Sequence, residues 1–219
     1  MNYGAEVEVA IARTRADVAR LHDELTRYGL SVWTGGNISA RVPKADLFVI
    51  KPRGVSYSDL SPENMVLCDL EGAQIEHTPG SDRTPSIDTA AHAYVYRHMS
   101  HVGGVVHTHS TYATAWSARG ESIPCVTASM AGEFGGDIPV TPVAGAGAIG
   151  EGVVGALTGH RSPAVLLQNH GVMTIGATAR DAVRSAVLAE DSARTVHISR
   201  QLGDPRAIPQ GEIDALFAR

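Results

Sequence analysis

The chain has 219 residues, 43% of them hydrophobic, and 18 Lys and Arg against 23 Asp and Glu give a formal charge of -5. This composition suits one globular domain over 1–219 and excludes a disordered chain. There is no basic stripe for nucleic acid, no apolar run long enough for a membrane span and no leader-like Met1–Glu6, so the expected compartment is the cytoplasm.

Residues 6–29 read as an amphipathic helix, with Val9, Val18, Leu21 and Leu25 at helical spacing and Gly29 as its stop. Thr34-Gly35-Gly36-Asn37-Ile38-Ser39 reads as a turn into a strand. Its backbone N–H groups suit an anion, and a plain tight turn explains it equally. A strand over Leu47–Lys51 runs into Lys51-Pro52-Arg53-Gly54-Val55, where two cations beside a glycine suit a phosphate or carboxylate, or are solvated charge. Residues 65–77 predict a hairpin about Glu71-Gly72, built from Met65–Asp69 and Ala73–Glu76. Cys68, in its first arm, and Cys125 form no CxxC motif and read as reduced core thiols.

Pro85, Ser86 and Asp88 open a helix carrying Ala91, Tyr94, Val95 and Met99. Asp88 is either a dipole partner of that helix or a carboxylate ligand, and Ser86 can meet an anion at the helix N-terminus. Gly103-Gly104-Val105-Val106-His107-Thr108-His109-Ser110 is a strand ending in two histidines at i and i+2, which share a face. They aim two imidazoles at one metal ion, or one of them is a core histidine and the other its neighbour. A helix follows from Tyr112 to Arg119, with Trp116 in the core. Thr127–Gly136 reads as a glycine-rich loop exposing Glu133, and 137–140 as a short strand.

Gly145-Ala146-Gly147-Ala148-Ile149-Gly150 matches the dinucleotide fingerprint literally. The strand after it, Ala164–Leu167, ends in Gln168-Asn169-His170 with no acid for a ribose, so the glycines read as a helix entry. Gln168–Gly171 turns that strand into Val172–Ile175 and places His170 at the reversal. A long helix over 178–202 stops at Gly203-Asp204-Pro205, and a short one covers about 211–218. Strands and helices interleave, which predicts an α/β fold: a single three-layer αβα domain with a mixed central sheet. The loop-end residues His107, His109 and His170, with Asp88 or Glu133, form a zinc-type donor set with room for substrate.

These stretches carry a resemblance. Thr34–Ser39, Lys51–Val55, Pro85–Thr89, His107–Thr111, Gly136–Pro139 and Asn169–Gly171 resemble, in order, the class II aldolase family, and most of all its L-ribulose-5-phosphate 4-epimerases. The resemblance implies Zn²⁺ (or Mn²⁺ or Co²⁺) held by His107, His109 and His170, with Asp88 a further ligand or a nearby base. It implies a phosphate pocket of Gly36, Asn37, Gly54 and Ser86, to which Thr34, Lys51 and Arg53 belong by position. It also implies a homotetramer with active sites at subunit interfaces. The implied reaction inverts C4 of a phosphorylated ketose by retro-aldol and aldol steps through a metal-stabilised enediolate, with Asp88 and Glu133 as the proton-transfer candidates. The chain departs from the family at Arg53 and Ile87, where serines are usual, at Gly132, where the epimerases carry an acid, and in lacking a tyrosine near its C-terminal end. The alternatives are an aldolase on a substrate such as L-fuculose 1-phosphate, a relative acting on a sugar acid, and a non-catalytic interaction domain.

Overall fold

The structure, a computed structural model, describes residues 3–75 and 83–218. In chain order its elements are α1 (Ala5–Arg27), β1 (Asn37–Arg41), β2 (Leu47–Ile50), β3 (Val66–Asp69), α2 (Thr89–His98), β4 (Gly104–Thr108) and α3 (Thr111–Arg119). There follow α4 (Ala128–Phe134), β5 (Val140–Thr141), α5 (Ile149–Leu157), β6 (Ala164–Leu167), β7 (Gly171–Gly176), α6 (Ala179–Leu202) and α7 (Gln210–Phe217). The strands form one sheet in the order β3-β2-β1-β4-β7-β6-β5, antiparallel except for the parallel pair β5–β6.

Side chains on a strand alternate between faces, and here the alternation sorts the core into layers. Val49, Val106, Leu166 and Val172 pack toward α1, α3, α4, α6 and α7. Phe48, Ile50, Val105, Val165, Leu167, Met173 and Ile175 pack toward α2 and α5. This is the expected three-layer αβα arrangement with a mixed sheet.

Most elements form where the residue pattern puts them. α1 ends at Tyr28, and the N–H groups of Gly29 and Leu30 bond back to Thr26 and Leu25, a Schellman closure. Its buried stripe is Ile11, Thr14, Val18, Leu21 and Leu25, whereas Val9 faces solvent. α6 starts in a reciprocal cap: Thr178 Oγ1 accepts the Asp181 N–H at 3.2 Å, and the Asp181 carboxylate accepts the Thr178 N–H at 3.0 Å. The hairpin around Glu71-Gly72 exists, but its second arm is only a bridge from Gln74 to Cys68; Glu76 and residue 77 lie outside the described residues. The stretch 145–150 makes a single 3-10 turn running into α5. Cys68 and Cys125 are free and buried.

One reading is corrected. Thr127–Gly136 is not an open loop but contains α4. Thr127 caps it by accepting the Met130 N–H at 3.3 Å, and Met130, Ala131 and Phe134 bury one side. The glycines at 135 and 136 end the helix and hid its short apolar stripe. The strand expected at 137–140 is displaced to Val140–Thr141, because Ile138 pairs with Ile123 in an isolated bridge instead.

Candidate metal centre

β4 and β7 pair so that His107 sits opposite Met173, with Asn37 opposite His107 on the other side. His107 shares the parity of Val105, so its ring lies on the α2 side of the sheet. His109 follows one residue past the end of β4, and His170 sits in the tight turn from β6 to β7, with Asn169 at φ 60°. One nitrogen from each of His107, His109 and His170 lies within 4.8 Å of the other two.

The hydrogen bonds decide how these nitrogens point. His107 Nδ1 lies 3.0 Å from the Val172 carbonyl oxygen. A carbonyl only accepts, so Nδ1 carries the proton and Nε2 presents a lone pair. That Nε2 stands 3.1 Å from His109 Nε2. Two ligands about 2.05 Å from a tetrahedral zinc ion stand roughly 3.3 Å apart, so the spacing suits a shared cation. Burial drives the His107 ring down to about 3, against the pull of Asp88, with His109 and His170 adding to the effect. Burial also lowers His109, helped by His170 and opposed by Asp88. Neutral imidazoles are the form that ligates a metal.

The backbone lets the rings meet only because two positions lack a side chain. A methyl group at Gly171 would stand 2.5 Å from the Thr108 carbonyl oxygen and 2.9 Å from His109 Cδ2. A methyl at Gly36 (φ +83°) would stand 2.7 Å from the His107 carbonyl oxygen.

Asp88 opens α2 but does not cap it with its side chain. Its Oδ2 accepts Asn37 Nδ2 at 2.6 Å. Burial alone would raise this carboxyl, but His107, His92, the Asn37 bond and His170 outweigh it and hold it below its ordinary value. Asp88 thus lies within electrostatic reach of the histidines but outside their three-nitrogen cluster. Beneath it, the fully buried His92 bonds Ser39 Oγ through Nδ1 at 2.7 Å, and Ser39 also meets the Tyr96 hydroxyl at 2.7 Å.

The anion-binding candidates lie on three loops, the first of which abuts the histidines. The turn holding Thr34, Gly36 and Asn37 leads into β1 beside His107. The segment Lys51–Gly54 is tied to Thr84–Ser86: the Arg53 N–H donates to Thr84 and the Ser86 N–H donates to Lys51 at 3.0 Å. Ser86 Oγ accepts the Asp88 N–H at 3.3 Å. Lys51 is 3% exposed, its Nζ bonds only the Pro52 carbonyl, and no carboxylate pairs with it among the described residues. Burial lowers its ammonium below the ordinary lysine range. Arg53, Gly54 and Ile87 are exposed at the rim.

Glu133 is not gathered with these groups. It sits on α4, where its carboxylate pairs with Arg184 at 2.6 Å and approaches Ser185. Arg184 belongs to the first turns of α6, which pack against Gly104 and Gly176, the ends of β4 and β7 remote from the histidines. Sequence reasoning missed His92 and Tyr57, and named Gly171 only as part of a turn. Only Gly171, directly after a candidate ligand, carried a signal in the chain.

Three comparisons bear on this geometry. Residues 16–197 match the family model described as the class II aldolase and adducin N-terminal domain. An L-ribulose-5-phosphate 4-epimerase UlaF of Salmonella paratyphi B is 40% identical over 188 residues, 81% of each chain. In structure, an L-fuculose 1-phosphate aldolase superposes with TM-score 0.84 at 24% identity, covering 94% of this chain and 95% of its own. An L-fuculose 1-phosphate aldolase from Glaciozyma antarctica gives 0.82 at 21% identity, covering 100% and 85%; at such identities these two show the fold. A family match over residues 16–197, most of the chain, together with a relative 40% identical over 81% of each chain, places this protein in the class II aldolase family.

Proposed function

We propose that this chain is a zinc-dependent L-ribulose-5-phosphate 4-epimerase. The observation that carries the proposal is the convergence of three imidazole nitrogens within 4.8 Å of one another. The relative's name supports the substrate. His107, His109 and His170 hold the ion, which supplies Lewis acidity toward a ketone and its neighbouring hydroxyl. Lys51 supplies a desolvated positive charge for the phosphate, and Asn37, Gly36, Gly54, Thr34 and Ser86 supply polar contacts around it. Arg53 approaches the same anion from the rim. Asp88, kept as a carboxylate and oriented by Asn37, is placed to take or return a hydroxyl proton as the C3–C4 bond of the ketose opens and closes. Glu133 joins such a site only from a neighbouring copy, as in a homotetramer with interfacial sites.

A second reading is an aldolase. Within one chain Glu133 is tied to Arg184, which leaves the second proton-transfer group of an epimerase unsupplied. The zinc-loaded protein incubated with L-ribulose 5-phosphate separates the two. Formation of the C4 epimer without free aldehyde supports the epimerase, whereas accumulation of dihydroxyacetone and glycolaldehyde phosphate supports the aldolase. Neither product, with zinc fully bound, rejects both.

A further inference from the structure

Tyr57 lies outside the metal cluster and offers no ligand to it. It stands on a single 3-10 turn (Tyr57–Asp59), is buried, and meets both the Gly35–Gly36 turn and Lys51. Its hydroxyl donates to the Gly35 carbonyl at 2.5 Å, with the Gly36 carbonyl at 3.2 Å, and lies 3.1 Å from Ser31 Oγ, whose hydroxyl also bonds the Gly35 carbonyl. Its ring lies 5.4 Å from the Lys51 ammonium and 5.3 Å from the His22 ring. His22 in turn holds the entry to β1: its Nδ1 donates to the Val18 carbonyl at 2.8 Å, and its Nε2 accepts the Ile38 N–H at 3.1 Å.

The peptide that Tyr57 holds runs directly over the histidines. A methyl group at Gly35 would stand 3.3 Å from His109 Nδ1, so this backbone rests on a ring of the cluster. Lys51 stays buried without a carboxylate because one of its neighbours is the electron-rich face of an aromatic ring. The hydroxyl and the ring of Tyr57 thus serve different halves of the pocket.

We propose that Tyr57 is a positioning residue that sets the spacing between the Lys51 ammonium and the Gly35–Gly36 backbone, and so tunes the pocket to an anion the size of a phosphate. The proposal rests on the reading of these loops as the phosphate pocket. It assigns Tyr57 no contact with the reacting carbons.

The test uses the zinc-loaded protein, inorganic phosphate as calorimetric probe and zinc content by atomic emission. Tyr57→Phe keeps the ring and removes the hydroxyl, so it deletes the Tyr57 bonds to Gly35, Gly36 and Ser31 while the Ser31 hydroxyl still reaches the Gly35 carbonyl. The expected result is full zinc content, phosphate affinity weakened about tenfold, and a KM for L-ribulose 5-phosphate raised by a similar factor with kcat within about threefold. Ser31→Ala, which removes a second hydroxyl on the Gly35 carbonyl and leaves the Tyr57 bonds to Gly35 and Gly36 in place, should shift phosphate affinity in the same direction by less. Phosphate affinity of Tyr57→Phe within twofold of wild type overturns the proposal while leaving the pocket standing. Loss of zinc from Tyr57→Phe also overturns it, since the residue would then support the metal rather than the anion. Wild-type protein that holds zinc but binds no phosphate overturns the pocket itself, and the proposal with it.

Discussion

His107 shows how a single strand residue is readied to hold a metal. Its buried ring is kept neutral, and the Val172 carbonyl takes the Nδ1 proton, so Nε2 has one role left. Replacing His107 or His109 by Ala should lower metal affinity by more than about 100-fold, beyond the effect of losing an outer partner, and metal analysis of purified variants reads this directly. Gly171→Ala probes the same spot through sterics. Its methyl meets backbone at 2.5 Å, so the variant should lose about 1–3 kcal/mol in urea unfolding and bind metal more weakly. An unchanged unfolding midpoint would contradict the close approach. His22 gives a pH prediction away from the ligands. Burial holds it at about 3 in the folded chain, against 6.5 as its ordinary value. The unfolded state therefore binds the extra proton between those values, and stability is present above pH 6.5 and lost as pH falls toward about 3. Urea unfolding from pH 7 to pH 4 should show that decline, and His22→Gln should make it shallower.

Elements explain why some of this could be read from the residues and some could not. The β4 run, with two apolar residues before His107 and His109, marks its own direction and end, and the reversal at Gln168–Gly171 marks the third ligand. Both signals are local, so they needed no tertiary information. α4 was hidden because its seven residues give barely two turns of periodicity and two glycines close it. Tyr57 and His92 were hidden for another reason. Their partners, Gly35 and Ser39, lie 22 and 53 residues away, and no spacing rule links them. Placing Glu133 required the ion pair with Arg184, 51 residues on, which the chain does not advertise. The cap of α6 tests an element without touching the site: Thr178→Ala should cost about 1 kcal/mol and leave zinc content unchanged. A loss of zinc in that variant would mean that the two ends of β4 are coupled.

At the scale of the whole molecule, the sheet separates two tasks. On one side of the sheet α1, α3, α4, α6 and α7 pack two apolar clusters, while the α2 face carries Asn37, Ser39, His92 and His107 at the edge of its own core. A metal bound to the folded chain alone stabilises it by mass action, so a chelator should lower the melting temperature in proportion to the affinity lost. Equal melting curves with and without chelator would argue against an ion held by these three histidines. Among the described residues no helix is long and apolar enough to cross a membrane.

The turn at Gly171 has a consequence for how this protein can change over generations. The reversal that carries His170 presses Gly171 against the Thr108 carbonyl, so a larger residue there is costly. The rim is built differently. Arg53 and Ile87 stand exposed on segments tied to each other through backbone groups, so their side chains can be exchanged freely. Divergence in side chains can therefore accumulate at the rim while the three-histidine cluster stays the same, and a new binding preference can arise in this scaffold without rebuilding that cluster.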